Sequence, residues 1–189
     1  DARIRTSAEG QAMAPMTQPF GVEAFGDSPG TTLRWLGMAG FLINARGTIL
    51  MVDPLLGGFD MPTLVDFPIA PDDVPHVNAV LVTHSDNDHF SVPTCRALTG
   101  VTEGFHGTQY VSSVMAAEEM PAHGHDIGSA FEVGRVRVEL TPADHAWQNA
   151  YPQPGQRTFA EGDVDDLPEA ELDALRIMPP SGSRISSER

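Results

Sequence analysis

The most informative stretch of the sequence is residues 77–90, VNAVLVTHSDNDHF, where an apolar run leads directly into a cluster of polar side chains. The run VNAVLVT predicts a strand covered on both faces, because a half-exposed strand would alternate apolar and polar residues. Within six positions after it come His84, Asp86, Asp88 and His89. The alternative is a solvated polar loop in which the two aspartates cap backbone amides.

These four side chains favour a metal site over that alternative. Neutral imidazole and ionised carboxylate are the ligands that borderline and hard divalent cations accept. Alternate side chains at a strand end point the same way, so His84 and Asp86 can converge, and a turn at Asn87 brings Asp88 and His89 in from a second direction. Four donors on one loop also carry little loop-closure entropy.

The flanking sequence predicts a layered α/β arrangement with a mixed sheet. Two β-rich runs around the turn residues 44–47 indicate a hairpin that ends at Asp53. Ser91 and Pro93 open a short helix through Leu98, and Thr108 caps a second helix. Two β runs follow around Gly134-Arg135, with Val136, Val138 and Leu140 on one face. Strands come first and then alternate with helices, which is the order of a layered α/β fold.

Composition narrows the classes of function. The formal net charge is −15, which argues against nucleic acid or an anionic membrane as a partner, since both bind clustered positive charge. The single cysteine, Cys95, excludes an internal disulfide. Neither a membrane-spanning apolar stretch nor a secretion signal is visible in the sequence, so we expect a cytoplasmic location.

Two stretches resemble one family. GMAGFLINARGTILMVDPLL (37–56) and VNAVLVTHSDNDHFS (77–91) are similar to the metallo-β-lactamase superfamily, and within it to the branch of the L-ascorbate-6-phosphate lactonases and related metal-dependent hydrolases. The family signature, His-x-His-x-Asp-His, aligns on His84, Asp86, Asp88 and His89. Asp86 stands where most members have histidine, and its harder oxygen tilts the preference from zinc toward manganese or iron.

The resemblance implies an αββα sandwich, of which this chain carries the N-terminal half to two-thirds. We place that domain at 31–160, after an irregular arm over 1–30 and before an acidic, mobile tail over 161–189 that holds at most a short helix at 168–176. The family's next metal histidine ends a later strand, and the matching residue here is His145. Its alternative role is a solvated loop histidine.

Other side chains are candidates for supporting roles. Asp53, at the end of its strand, either hydrogen-bonds a ligand histidine or simply forms a turn. His106, Trp147 and Arg157 are candidates for lining the pocket, and Arg157 is the first arginine after His145 that a substrate phosphate could use. His123-Gly124-His125 looks like a second metal pair, but its position between a predicted helix and a predicted strand favours a turn with a structural role, and lining the site is the alternative.

The sequence therefore predicts a hydrolase with one or two divalent ions, zinc or manganese first and iron next. A coordinated water, acidified toward a pKa of about 7, would attack a lactone, ester or related bond, with Asp88 orienting it and accepting its proton. A sugar-phosphate lactone is the favoured small-molecule substrate, and a phosphodiester is an alternative. A truncated or degenerate member that binds metal or a partner without turnover is the rival hypothesis, and a homo-oligomer could complete the sheet.

Overall fold

The computed structural model describes residues 16–59 and 63–142, together with the backbone of three strands outside those ranges. The strands are β1 Arg5–Thr6, β2 Ala12–Met13, β3 Thr31–Gly37, β4 Gly40–Ala45, β5 Thr48–Val52, β6 Ala79–Leu81, β7 Phe105–Thr108, β8 Ala122–His125, β9 Ala130–Val133, β10 Val136–Pro142 and β11 Ser181–Ser187. The α-helices are α1 Val92–Leu98 and α2 Gln109–Ala117, and short 3-10 helices cover Val22–Phe25 and Pro71–Asp73.

A mixed sheet forms the centre of the described chain. Its strands run in the order β3-β4-β5-β6-β7-β8, antiparallel from β3 to β5 and parallel from β5 to β8. The predicted hairpin is confirmed as β4–β5. Its turn uses Arg46 and Gly47 at positive φ, and the Asn44 side chain accepts a hydrogen bond from the Gly47 amide at 2.8 Å. The mixed sheet predicted from the order of elements is confirmed as well.

Helices α1 and α2 cover one face of this sheet. Ser91 Oγ accepts from the Thr94 amide and Thr108 Oγ1 from the Val111 amide, so both predicted caps are confirmed. The core on this side includes Val80 and Phe105 from the sheet and Cys95, Leu98 and Met115 from the helices. Burial raises the pKa of the Cys95 thiol to about 12, which keeps it protonated and unreactive.

A smaller sheet, in the order β9-β10-β11, covers the opposite face. Val136, Val138 and Leu140 are buried, which confirms the predicted alternation, and the first two pack with Leu50, Ala79 and Leu81 of the large sheet. Within the described residues the layers are therefore helices, large sheet and small sheet. This arrangement places the carboxyl ends of β5, β6 and β7 at one common edge.

The two ends of the chain depart from the predictions. We expected no packed element after residue 160 beyond a short helix, whereas β11 pairs antiparallel with β10 along its whole length. At the other end, the expected irregular arm contains the β1–β2 pair and the first 3-10 helix. The Asn44 amide donates to the carbonyls of Ala24 and Gly26 at 3.0 and 2.7 Å, so this segment is tied to the sheet.

Candidate metal centre

The four predicted donors lie on the loop over residues 82–91, called the donor loop below, which leaves β6 and turns back before α1. The amides of His89 and Phe90 both donate to the Asp86 carbonyl, at 2.9 and 2.7 Å, which closes a tight turn. Phe90 is buried at the far side of this turn and packs in the helix-side core. The turn therefore fixes where Asp88 and His89 point, because its two ends are held by a strand and by a buried aromatic ring.

Three of the predicted ligands come together on this loop. One donor atom each from His84, Asp88 and His89 lies within 4.8 Å of the others. The two imidazole rings are 3.8 Å apart between centroids, and Asp88 Oδ2 is 3.7 Å from His89 Nε2. Two imidazoles and a carboxylate within this span fit a divalent cation, which binds nitrogen and oxygen ligands at about 2.0–2.2 Å.

Asp86 lies beside this group but outside it. Its Oδ2 is 3.4 Å from His84 Nε2, and both side chains are largely buried. The contact agrees with the expectation that His84 and Asp86 point the same way. A role for Asp86 as a further ligand remains a prediction.

Asp53 holds the loop from the neighbouring strand. Its carboxylate accepts from the Thr83 amide at 2.7 Å and from Thr83 Oγ1 at 2.6 Å, and it lies 2.8 Å from His89 Nδ1. Burial lowers the pKa of His89. The hydrogen bond to Asp53 and the negative charges of Asp53, Asp88 and Asp86 raise it by more, so the pKa of His89 lies above its usual value. Of the two roles considered for Asp53, the structure shows the hydrogen bond to a candidate ligand histidine.

Sequence reasoning missed Thr83 and Tyr110. Thr83 Oγ1 contacts Asp53 and also lies 2.9 Å from His84 Nδ1, so it links the Asp53 carboxylate to a second candidate ligand histidine. The position of Thr83, immediately before His84, could have indicated this supporting role from the sequence. Tyr110, on α2, forms a side-chain hydrogen bond with Ser85, and burial together with the Asp86 charge raises the pKa of its phenol.

His106 lies on the sheet face covered by β9 and β10. Its register partner, Leu81, packs there, and neighbours in register on parallel strands share a face. The His106 ring stacks with His123, His125 and Phe131. The prediction of a turn at 123–125 is wrong, because these residues form β8, paired with β7. No contact between His106 and the donor loop is observed among the described residues.

We expect acid to destabilise the fold through His106. Burial first, then His123 and His125, lower the pKa of His106 to about 4. The unfolded chain takes up a proton near pH 6.5 and the folded chain only near pH 4, so stability is lost as the pH falls across that interval. Because His106 is only half-buried, we expect a loss of about 1 kcal/mol. His106→Gln should flatten this dependence in urea unfolding between pH 7 and 4, and His76→Gln should not.

The remaining candidates, His145, Trp147 and Arg157, lie outside the described residues. Their proposed roles stay predictions. Within residues 16–59 and 63–142, no helix is long and apolar enough to cross a membrane.

Comparisons of this chain with known proteins indicate one family. A profile described as "Beta-lactamase superfamily domain" matches residues 48–163. A UPF0173 metal-dependent hydrolase of Lawsonia intracellularis is 27% identical over 130 residues, covering 65% of this chain and 53% of that protein. A UPF0173 metal-dependent hydrolase of Ruegeria pomeroyi is 33% identical over 116 residues, covering 59% and 47%. The chain thus spans about half the length of the relatives it matches.

A solved structure supports the same fold. Igni18, a metallo hydrolase from Ignicoccus hospitalis, superimposes with a TM-score of 0.51 at 18% identity, covering 83% of this chain and 56% of that one. At 18% identity, this similarity shows a shared fold and nothing further.

Proposed function

This chain belongs to the metallo-β-lactamase superfamily, and we propose that it is a metal-dependent hydrolase of a lactone, ester or related bond. The observation that carries the proposal is the convergence of His84, Asp88 and His89 within 4.8 Å at the end of a buried strand. Relatives named as metal-dependent hydrolases support the class of reaction.

We assign some of these side chains to holding a cation and one to accepting a proton. His84, Asp88 and His89 would hold the ion, with Asp86 and His145 as further ligands. A divalent cation held there would supply a water of lowered pKa and would polarise the bond under attack. Asp53 fixes the His89 ring through Nδ1, which leaves Nε2 as the donor atom. Zinc or manganese is the proposed metal, with iron next, because the imidazoles suit zinc whereas the Asp86 oxygen favours manganese and iron.

Asp88 has the position of a proton acceptor. Its side chain is 40% exposed, compared with 9% for Asp86, and it contacts His89 Nε2 at 3.7 Å. A partly exposed carboxylate beside the donor atoms can reach a water that enters from solvent, whereas a buried one cannot. We therefore assign Asp88 to orienting the nucleophile and accepting its proton.

The favoured substrate is a small molecule, a sugar-phosphate lactone of the kind hydrolysed by the lactonase branch that the sequence resembles. Trp147 and Arg157 are proposed to line its pocket, with Arg157 contacting the phosphate. A phosphodiester is the second substrate class that the same chemistry can cleave.

Asp88→Asn is the variant that tests this function. It removes the proton acceptor while keeping an oxygen in the same place, so we expect kcat to fall about 100-fold or more with bound metal retained. The assay compares a chromogenic lactone, an ester and a bis-phosphodiester, with metal content measured by mass spectrometry. Asp72→Asn is the matched control, since Asp72 makes the same chemical change on an exposed 3-10 turn.

Two outcomes would contradict the proposal. Turnover by Asp88→Asn equal to that of the control would remove Asp88 from the chemistry. One bound metal per chain, without turnover of any of the three substrates by the unaltered protein, would favour a member of the family that binds metal without catalysis.

A further inference from the structure

Three histidines outside the donor loop meet on the face of the large sheet that β9 and β10 cover. His106 and His123 are register partners on β7 and β8, and their rings stack at 4.9 Å between centroids. His125 lies two residues farther along β8 and so shares their face. The proposed hydrolase uses none of the three.

A hydrogen bond fixes one of these rings. His106 Nδ1 lies 3.0 Å from His125 Nε2, so one of the two nitrogens donates and the other accepts. With the proton on His106 Nδ1, His125 accepts, and the lone pair of His106 is on Nε2. Ligand histidines in proteins are commonly held in this way, through the ring nitrogen that does not bind the metal.

The Nε2 side of the His106 ring lies close to Gly104. A Cβ at Gly104 would lie 3.0 Å from His123 Nε2 and 3.4 Å from His106 Nε2. Both Nε2 atoms therefore lie beside the backbone of residue 104, which can approach them closely because it has no side chain. Any other residue there would press against both rings.

An aromatic ring packs against two of these imidazoles. Phe131 stacks on His125 at 3.8 Å and on His106 at 4.7 Å between centroids, which shields both rings on one side.

We propose that His106 Nε2 and His123 Nε2 form a second metal site beside Gly104, for Cu²⁺, Ni²⁺ or Zn²⁺. Two imidazoles select these late transition metals over Mg²⁺ or Ca²⁺, which take oxygen ligands. Water fills the remaining coordination positions, since His123 is exposed. His125 is a positioning residue that acts through His106. The site is separate from the donor loop and does not depend on the proposed hydrolase activity.

Calorimetric titration with Cu²⁺ tests the site in the full chain. A His84→Gln/His89→Gln background removes two donor-loop ligands, so the tightest remaining binding reports the second site. In that background we expect His123→Gln or His106→Gln to remove one equivalent of Cu²⁺ or to weaken it at least tenfold. His76→Gln is the control, because His76 is an exposed imidazole that contacts only Glu103, at 3.5 Å, among the contacts observed. The Cu²⁺ electron paramagnetic resonance spectrum should show two coupled nitrogens, and one in each variant.

Gly104→Ala tests the place of the ion without removing a ligand. The added methyl group meets both Nε2 atoms, so we expect Cu²⁺ to bind at least tenfold more weakly.

His125→Leu should weaken Cu²⁺ binding about 10–100-fold, and His125→Gln, whose amide oxygen still accepts from His106 Nδ1, should restore part of the loss. Should His106→Gln fail to fold, His123→Gln, at an exposed position, and Gly104→Ala decide together. Binding by both His123→Gln and Gly104→Ala that equals the control would overturn the proposal.

Discussion

Replacing Asp53 with alanine should cost about 2–4 kcal/mol of folding free energy and lower metal affinity about 10–100-fold. The carboxylate is buried and accepts from both the amide and the hydroxyl of Thr83, with His89 Nδ1 at 2.8 Å. Its removal leaves those donors without their partner and releases the imidazole that carries a candidate metal ligand. Alanine also tolerates the left-handed backbone at this position, φ 43°, less well than aspartate.

Two measurements separate these effects. Urea unfolding of the metal-free protein gives the stability change, and competition with a chelator for Zn²⁺ gives the affinity change. Asp53→Asn keeps the shape and one acceptor but loses the charge, so it should fall between alanine and the native residue. Asp72→Ala, on an exposed turn, should match the unaltered protein. Unchanged zinc affinity in a folded Asp53→Ala protein would show that the loop does not need its hydrogen bond to bind metal.

Leu98→Ala should lower the free energy of unfolding by about 2–5 kcal/mol, because it empties a site in a closely packed core. Leu98 is fully buried at the end of α1, among residues that pack the helices on the large sheet. The helix follows the donor loop directly, so its packing also secures the loop. The expected result is a lower urea midpoint with an unchanged slope.

Leu64→Ala makes the same chemical change on the surface and is the matched control. Leu64 is 87% exposed, so its truncation should change stability by less than about 0.5 kcal/mol. Similar losses in the two variants would mean that the packing around Leu98 is not the source of its effect.

Local signals in the sequence were sufficient for much of the fold. The β4–β5 hairpin, the two helix caps and the alternation along β10 all depend on residues within a few positions of one another. The donor loop belongs to the same class, because its candidate ligands lie within six positions after an apolar run. Such features are encoded by spacing and by turn chemistry, which the sequence shows directly.

Strands β8 and β11 carry no such local signal. AHGH has two histidines and a glycine, and SGSRISS is rich in turn-forming residues, so neither has the composition of a strand. They form strands because β7 and β10 offer free backbone partners along their edges. Pairing with a neighbour that lies far along the chain is decided by the packed structure and not by local preference.

The sequence by itself determined that imidazoles and carboxylates stand together after a buried strand, since a few covalent bonds keep them close. The tertiary structure decided which side chains support them. Asp53 reaches His89 across 36 positions of chain, and three histidines from β7 and β8 meet only because those strands are neighbours. The physical reason is that chain connectivity sets only short-range proximity, whereas burial of apolar faces and backbone pairing bring distant residues together.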